Sequence, residues 1–208
     1  MALLYGYEAY PDRTVITRLS KAVRLEDEYT EKPPVGQVEV LLAAQGVKAV
    51  RNPSGYYLFT DLPAGVGDLG LRVEAEHYFA VNTTADLSEP VVEITLKPAP
   101  SYPFPPGATL IRGIFLDTAG NPLPDARVEV LETNINTITT RRGEFVLYFK
   151  GLTVDDVFVE NGKRYVQGKP GKTFHLEIVK EPDTWTYNWE IGAVEGMTTA
   201  LKEPITLS

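Results

Sequence analysis

The sequence predicts an all-β protein built from two sandwich modules of about 100 residues each. Three observations carry this. Period-2 alternation of apolar and polar residues recurs about every 8 to 12 positions. Turn-forming residues, 16 prolines and 17 glycines among 208, fall between the alternating runs. A proline-dense segment at 97–109 splits the chain near its middle. At 208 residues the chain is long for one small sandwich and sufficient for two, each burying its own core.

In the first half, strands are expected near 21–27, 37–43, 47–51, 56–60, 70–79 and 91–97. Residues 18–29 also fit a helix by spacing, but Val23 and Leu25 alternating with Ala22, Arg24 and Glu26 favour a strand. Leu71, Val73 and Ala75 against Arg72, Glu74 and Glu76 give the cleanest alternation. Pro33-Pro34, Asn52-Pro53-Ser54-Gly55 and Pro63-Ala64-Gly65 supply turns. The segment 97–109 holds five prolines in thirteen residues, and proline donates nothing to a sheet ladder, so a stiff extended linker is expected. Tyr102 and Phe104 within it are expected to pin it to a neighbouring domain. In the second half, strands are expected near 109–117, 126–132, 136–140, 144–150, 156–160, 164–167, 173–180, 184–191 and 199–207. The expected organisation is a first domain over 1–98, the linker over 99–107 and a second domain over 108–208. The tail from 182 has no counterpart in the first half and is expected to add strands to the second domain.

The halves align with each other. GQVEVLL at 36–42 matches ARVEVLE at 126–132, and NPSGYYLFTDL at 52–62 matches TRRGEFVLYFKGL at 140–152, with Gly55 opposite Gly143. The run IRGIFLDTAGNPLPDARVEV at 111–130, followed by RRGEFVL at 141–147, resembles the carboxypeptidase regulatory-like module. Asp117, Gly120, Pro122, Leu123, Ala126, Val128, Val130, Gly143 and Phe145 fill the places of its signature, and PSGYYLFTDLPAG at 53–65 resembles its later part. The resemblance implies tandem prealbumin-like (transthyretin-like) Greek-key β-sandwich domains. It also implies a non-catalytic appendage, spacer or adhesion unit.

Composition excludes several chemistries. The chain lacks cysteine, which removes disulfides, thiolate metal sites and cysteine nucleophiles. A net charge of -8, with no basic stripe beyond Arg141-Arg142, argues against nucleic acid and anionic membranes as partners. No apolar run reaches membrane-spanning length, and the N-terminus lacks a signal-peptide pattern, so a cytoplasmic address is expected unless the chain is trimmed from an exported precursor.

The two histidines, His77 and His175, stand one in each half without metal-ligand spacing and read as structural. Glu26-Asp27-Glu28 and Asp155-Asp156 read as surface charge. Asp117 with Asp125 reads as a turn, with a calcium site as the weaker reading. No catalytic residue, metal or cofactor is expected, and no enzymatic activity. Trp185, Tyr187 and Trp189 share one face if 184–191 is a strand. They form a candidate surface for a protein partner, an aromatic platform for a glycan, or a closure of the second core. Tyr5 and Tyr7 pose the same question at the N-terminus. The expected function is a structural or interaction protein presenting sandwich surfaces to a protein partner or an assembly. The alternative is a carbohydrate-binding module using 185–189.

Overall fold

The computed structural model describes residues 19–62, 69–85, 89–168 and 171–208. Within them the protein is all-β, and its one helical element is a single 3₁₀ turn at Val154–Asp156.

The first half contributes β1 (Leu19–Asp27), β2 (Val38–Leu42), β3 (Val50–Arg51), β4 (Tyr57–Thr60), β5 (Leu69–Ala75), β6 (Val81–Ala85) and β7 (Val91–Leu96). Two sheets form, in the orders β3-β4-β1-β7 and β2-β5-β6. The alternation in β5 does what the sequence suggests: Leu69, Leu71 and Val73 point inward while Gly70, Arg72 and Glu74 face solvent. Val23, Leu25, Phe59 and Leu96 from one sheet meet Val40, Leu42, Leu71 and Val73 from the other in a single core. The register of β1 on β4 slips between Leu19 and Lys21. Such a bulge puts an extra residue on the strand, and Lys21, Ala22 and Val23 are buried in succession. The expected strand over 70–79 stops at Ala75. A turn follows, and β6 runs back antiparallel to β5.

The second half contributes β8 (Thr109–Leu116), β9 (Arg127–Val130), β10 (Asn136–Ile138), β11 (Glu144–Phe149), β12 (Val157–Glu160), β13 (Lys163–Val166), β14 (Phe174–Lys180), β15 (Asp183–Trp189), β16 (Thr198–Ala200) and β17 (Ile205–Thr206). One sheet runs β10-β9-β14-β15, the other β11-β8-β16 with β17 also on β8, and β12 with β13 stands apart as a hairpin. Ile111, Phe115, Phe145 and Leu147 pack on Val128, Val130, Leu176 and Trp189 in a second core.

The pairing pattern recurs between the halves. β1 lies antiparallel to β4 and parallel to β7; β8 lies antiparallel to β11 and parallel to β16 and β17. β5 sits between β2 and β6 as β14 sits between β9 and β15. The segment from 182 therefore holds the positions that β6 and β7 hold in the first half, a counterpart its sequence does not disclose. The stretch 199–207 is not one strand: Leu201–Pro204 loop out between β16 and β17.

Gly143 shows why a turn residue recurs here. It has φ +74°, and a Cβ on it would lie 2.2 Å from the Phe115 carbonyl oxygen. Only glycine allows both the left-handed backbone and that approach.

Candidate functional site

The three rings of β15 do share a face, and that face looks inward. Trp189 is 1% exposed, its indole N–H donates to the Gly192 carbonyl at 2.8 Å, and its ring meets Phe145 edge-on. Trp185 and Tyr187 are half-buried against the same core, Tyr187 edge-on to Phe115. Thr184, Thr186 and Asn188 take the solvent face. Antiparallel pairing with β14 fixes this sense, since Leu176 and Ile178 opposite Tyr187 and Trp185 belong to the core. Of the three rings, Trp189 is closed to solvent, while Trp185 and Tyr187 keep part of their surface open. Tyr5 and Tyr7 lie outside the described residues.

The histidines stay apart. His175 holds its ring Nδ1 against the Glu132 carboxylate, and its backbone N–H donates to the same group at 3.1 Å. His77 lies under Gly36, where a Cβ would come within 2.8 Å of the imidazole ring. Asp117 accepts backbone N–H groups of Ala119 and Asn121, both at 2.8 Å, and these hold its carboxyl below the usual range. Asp117 thus closes a turn. No cluster of three or more His, Asp or Glu with metal-binding geometry occurs among the described residues.

The densest convergence of polar and aromatic side chains lies where the halves meet, on residues the sequence marks as surface charge or linker. β1 ends in Asp27, which is completely buried. Its carboxylate accepts the Tyr78 hydroxyl at 2.9 Å, the Tyr102 hydroxyl at 2.5 Å and the Tyr29 backbone N–H at 2.7 Å. A buried carboxylate is tolerable only when so satisfied. Burial beside this charge pushes Tyr78 up to about 12 and raises Tyr102 further.

The next residue reaches across the junction. Glu28 accepts the Tyr148 hydroxyl from β11 at 2.7 Å, and its carbonyl accepts Lys150 Nζ at 2.8 Å. Lys150 also pairs with Glu31, and Lys97 from the first half donates to Asn136 on β10 at 2.6 Å. Tyr29, third in the run, meets Tyr102, Phe104 and Tyr148 edge-on, at centroid separations of 6.0, 5.1 and 5.3 Å. Edge-to-face contacts of this kind contribute beyond the area they bury. The proline-rich segment is thus a strap, clamped by Tyr102 toward the first half and by Phe104 over Ala108, Leu110, Val146 and Tyr148 of the second.

No protein-family model matches the chain, and no curated protein matches it. Among solved structures, the chain is similar to the Bacillus anthracis TIE protein, at 13% identity and a TM-score of 0.30, over 91% of this chain and 34% of that one. It is also similar to a streptococcal ancillary pilin, at 12% identity and a TM-score of 0.25, over 92% of this chain and 62% of that one. At such scores neither likeness carries an argument about function.

Proposed function

We propose that this chain is a non-catalytic structural and interaction protein: two β-sandwich modules joined into one stiff body that offers its surfaces and sheet edges to a protein partner or an assembly. The observation that carries the reading is the junction, in which Asp27 and Tyr29 hold the strap at Tyr102 and Phe104 while Glu28 holds β11 at Tyr148. A spacer or presenting element depends on modules held in a fixed relation by such contacts. Open edges supply the means of contact: β6 and β15 each have a strand neighbour on one side only among the described residues.

NMR relaxation tests the rigidity. Both halves of the native protein are expected to report one rotational correlation time. A Tyr148→Ala, Lys150→Ala double variant is expected to give two shorter ones while each half keeps its own amide pattern. Independent tumbling of the native halves would refute the reading. Light scattering across a hundredfold dilution then separates self-assembly, where mass falls with concentration, from a partner of another kind.

A further inference from the structure

Between β16 and β17 the outer edge of β8 is left open. β16 ends with Ala200 opposite Arg112, and β17 begins with Ile205 opposite Phe115, so among the described residues Gly113 and Ile114 have no strand partner on that side. The opening is a cleft of about 420 Å³ running from Pro100 and Ser101 of the strap to Leu201–Pro204.

Two donors meet there, the Ile114 amide and the Arg112 guanidinium. The amide of Leu110 donates to Met197 on this edge, and that of Phe115 donates to Gly143 on the opposite one. Alternation along a strand therefore aims the Ile114 amide into the gap. The Leu201–Pro204 loop offers it no backbone acceptor. Arg112 lies on the same face two residues earlier, half-buried, with one N–H on the Pro100 carbonyl at 2.7 Å and its guanidinium 5.6 Å from the Phe104 ring centroid. No carboxylate of the described residues pairs with it. Burial lowers its pKa, as expected of a cation stripped of water without an anion in return. Glu144, Lys202 and Glu203 also line the cleft, and Glu144 accepts the Thr140 hydroxyl at 3.2 Å.

We propose that this cleft receives an extended polypeptide segment of a partner protein, one acidic side chain on the Arg112 guanidinium and one main-chain carbonyl on the Ile114 amide. Arg112 and Ile114 stand about 7 Å apart along the strand, the i to i+2 repeat of an extended peptide. A small free carboxylate would use the first donor and leave the second unmet. The net charge of -8 disfavours a run of acids and leaves room for a single one. The site goes beyond the stiff-body reading and fails independently of it, because its test reads the cleft and not the junction.

The probe is an N-acetylated, C-amidated pentapeptide with one Asp in a Val/Thr background, titrated into ¹⁵N-labelled full chain beside its Asn analogue and sodium acetate. The Asp peptide is expected to move the Ile114 amide and Arg112 Nε–H signals, with the Asn analogue at least tenfold weaker. Arg112→Gln is expected to abolish the response. Because Arg112 also holds the strap, Pro204→Trp serves as a second variant, filling the cleft from the Leu201–Pro204 loop and away from the Arg112–Pro100 bond, and it too is expected to abolish binding. Silence of the Asp peptide at millimolar concentration overturns the proposal, as does equal binding by the Asn analogue. Acetate binding as tightly as the Asp peptide overturns it in favour of a small-carboxylate site.

Discussion

At the scale of single residues, the junction turns on one buried charge. Tyr102→Phe keeps the ring and removes a donor from Asp27. A buried acceptor short of a partner costs about 1 to 3 kcal/mol, and urea unfolding is expected to show that loss with an unchanged m-value. The tyrosines also set an alkaline limit. Tyr78 titrates near 10 when unfolded and is pushed up to about 12 in the fold, so the folded state holds the proton more tightly. Its contribution is complete below pH 10 and is lost as pH rises from 10 through 12. Thermal unfolding followed by circular dichroism is expected to show stability falling over that window, less steeply in Tyr78→Phe. None of this is legible locally. In sequence, Asp27 sits in an acidic run that reads as solvent-facing, and its hydroxyl partners lie 51 and 75 residues away. Val146 and Tyr148 do leave a trace. β11 is apolar on both faces, the mark of a strand covered from both sides, here by its core and by the strap.

Secondary elements were the readable level, with informative failures. Strong alternation locates β5 and β14, because one buried face imposes period 2. β6 escapes notice: Val81-Asn82-Thr83-Thr84-Ala85 is an edge strand with one fully buried residue, too little apolar content to stand out. β15 announces its shared aromatic face but not which way it looks, since sidedness depends on the register with β14. The paired turn glycines give an element-level prediction. Gly55 and Gly143 both have positive φ, but a Cβ on Gly55 meets nothing within 4 Å while one on Gly143 collides with the Phe115 carbonyl. Gly55→Ala is expected to cost about 1 to 2 kcal/mol for the left-handed backbone alone. Gly143→Ala adds displacement of β8 and is expected to cost clearly more, with chemical-shift changes spreading along Thr109–Leu116. Equal costs in denaturant melts would contradict the collision.

For the whole molecule, the parallel strands that close each half have a mechanical consequence. In the first half, β1 and β7 run side by side in the same direction over six aligned residue pairs, Ala22 with Val91 through Asp27 with Leu96. In the second, β8 lies parallel to the strands that end the chain. A pull applied at both ends of the polypeptide slides β1 along β7 and β8 along β17. The hydrogen bonds of each ladder are then strained together rather than unzipped one by one. The strap between β7 and β8, clamped at Tyr102 and Phe104, carries tension from one ladder to the next with little slack to absorb it. Force spectroscopy along the N-to-C axis is expected to give rupture forces well above those for a pull across β5 and β6, whose antiparallel hairpin opens from one end. Resistance to traction would then be written into the order in which the strands are laid down.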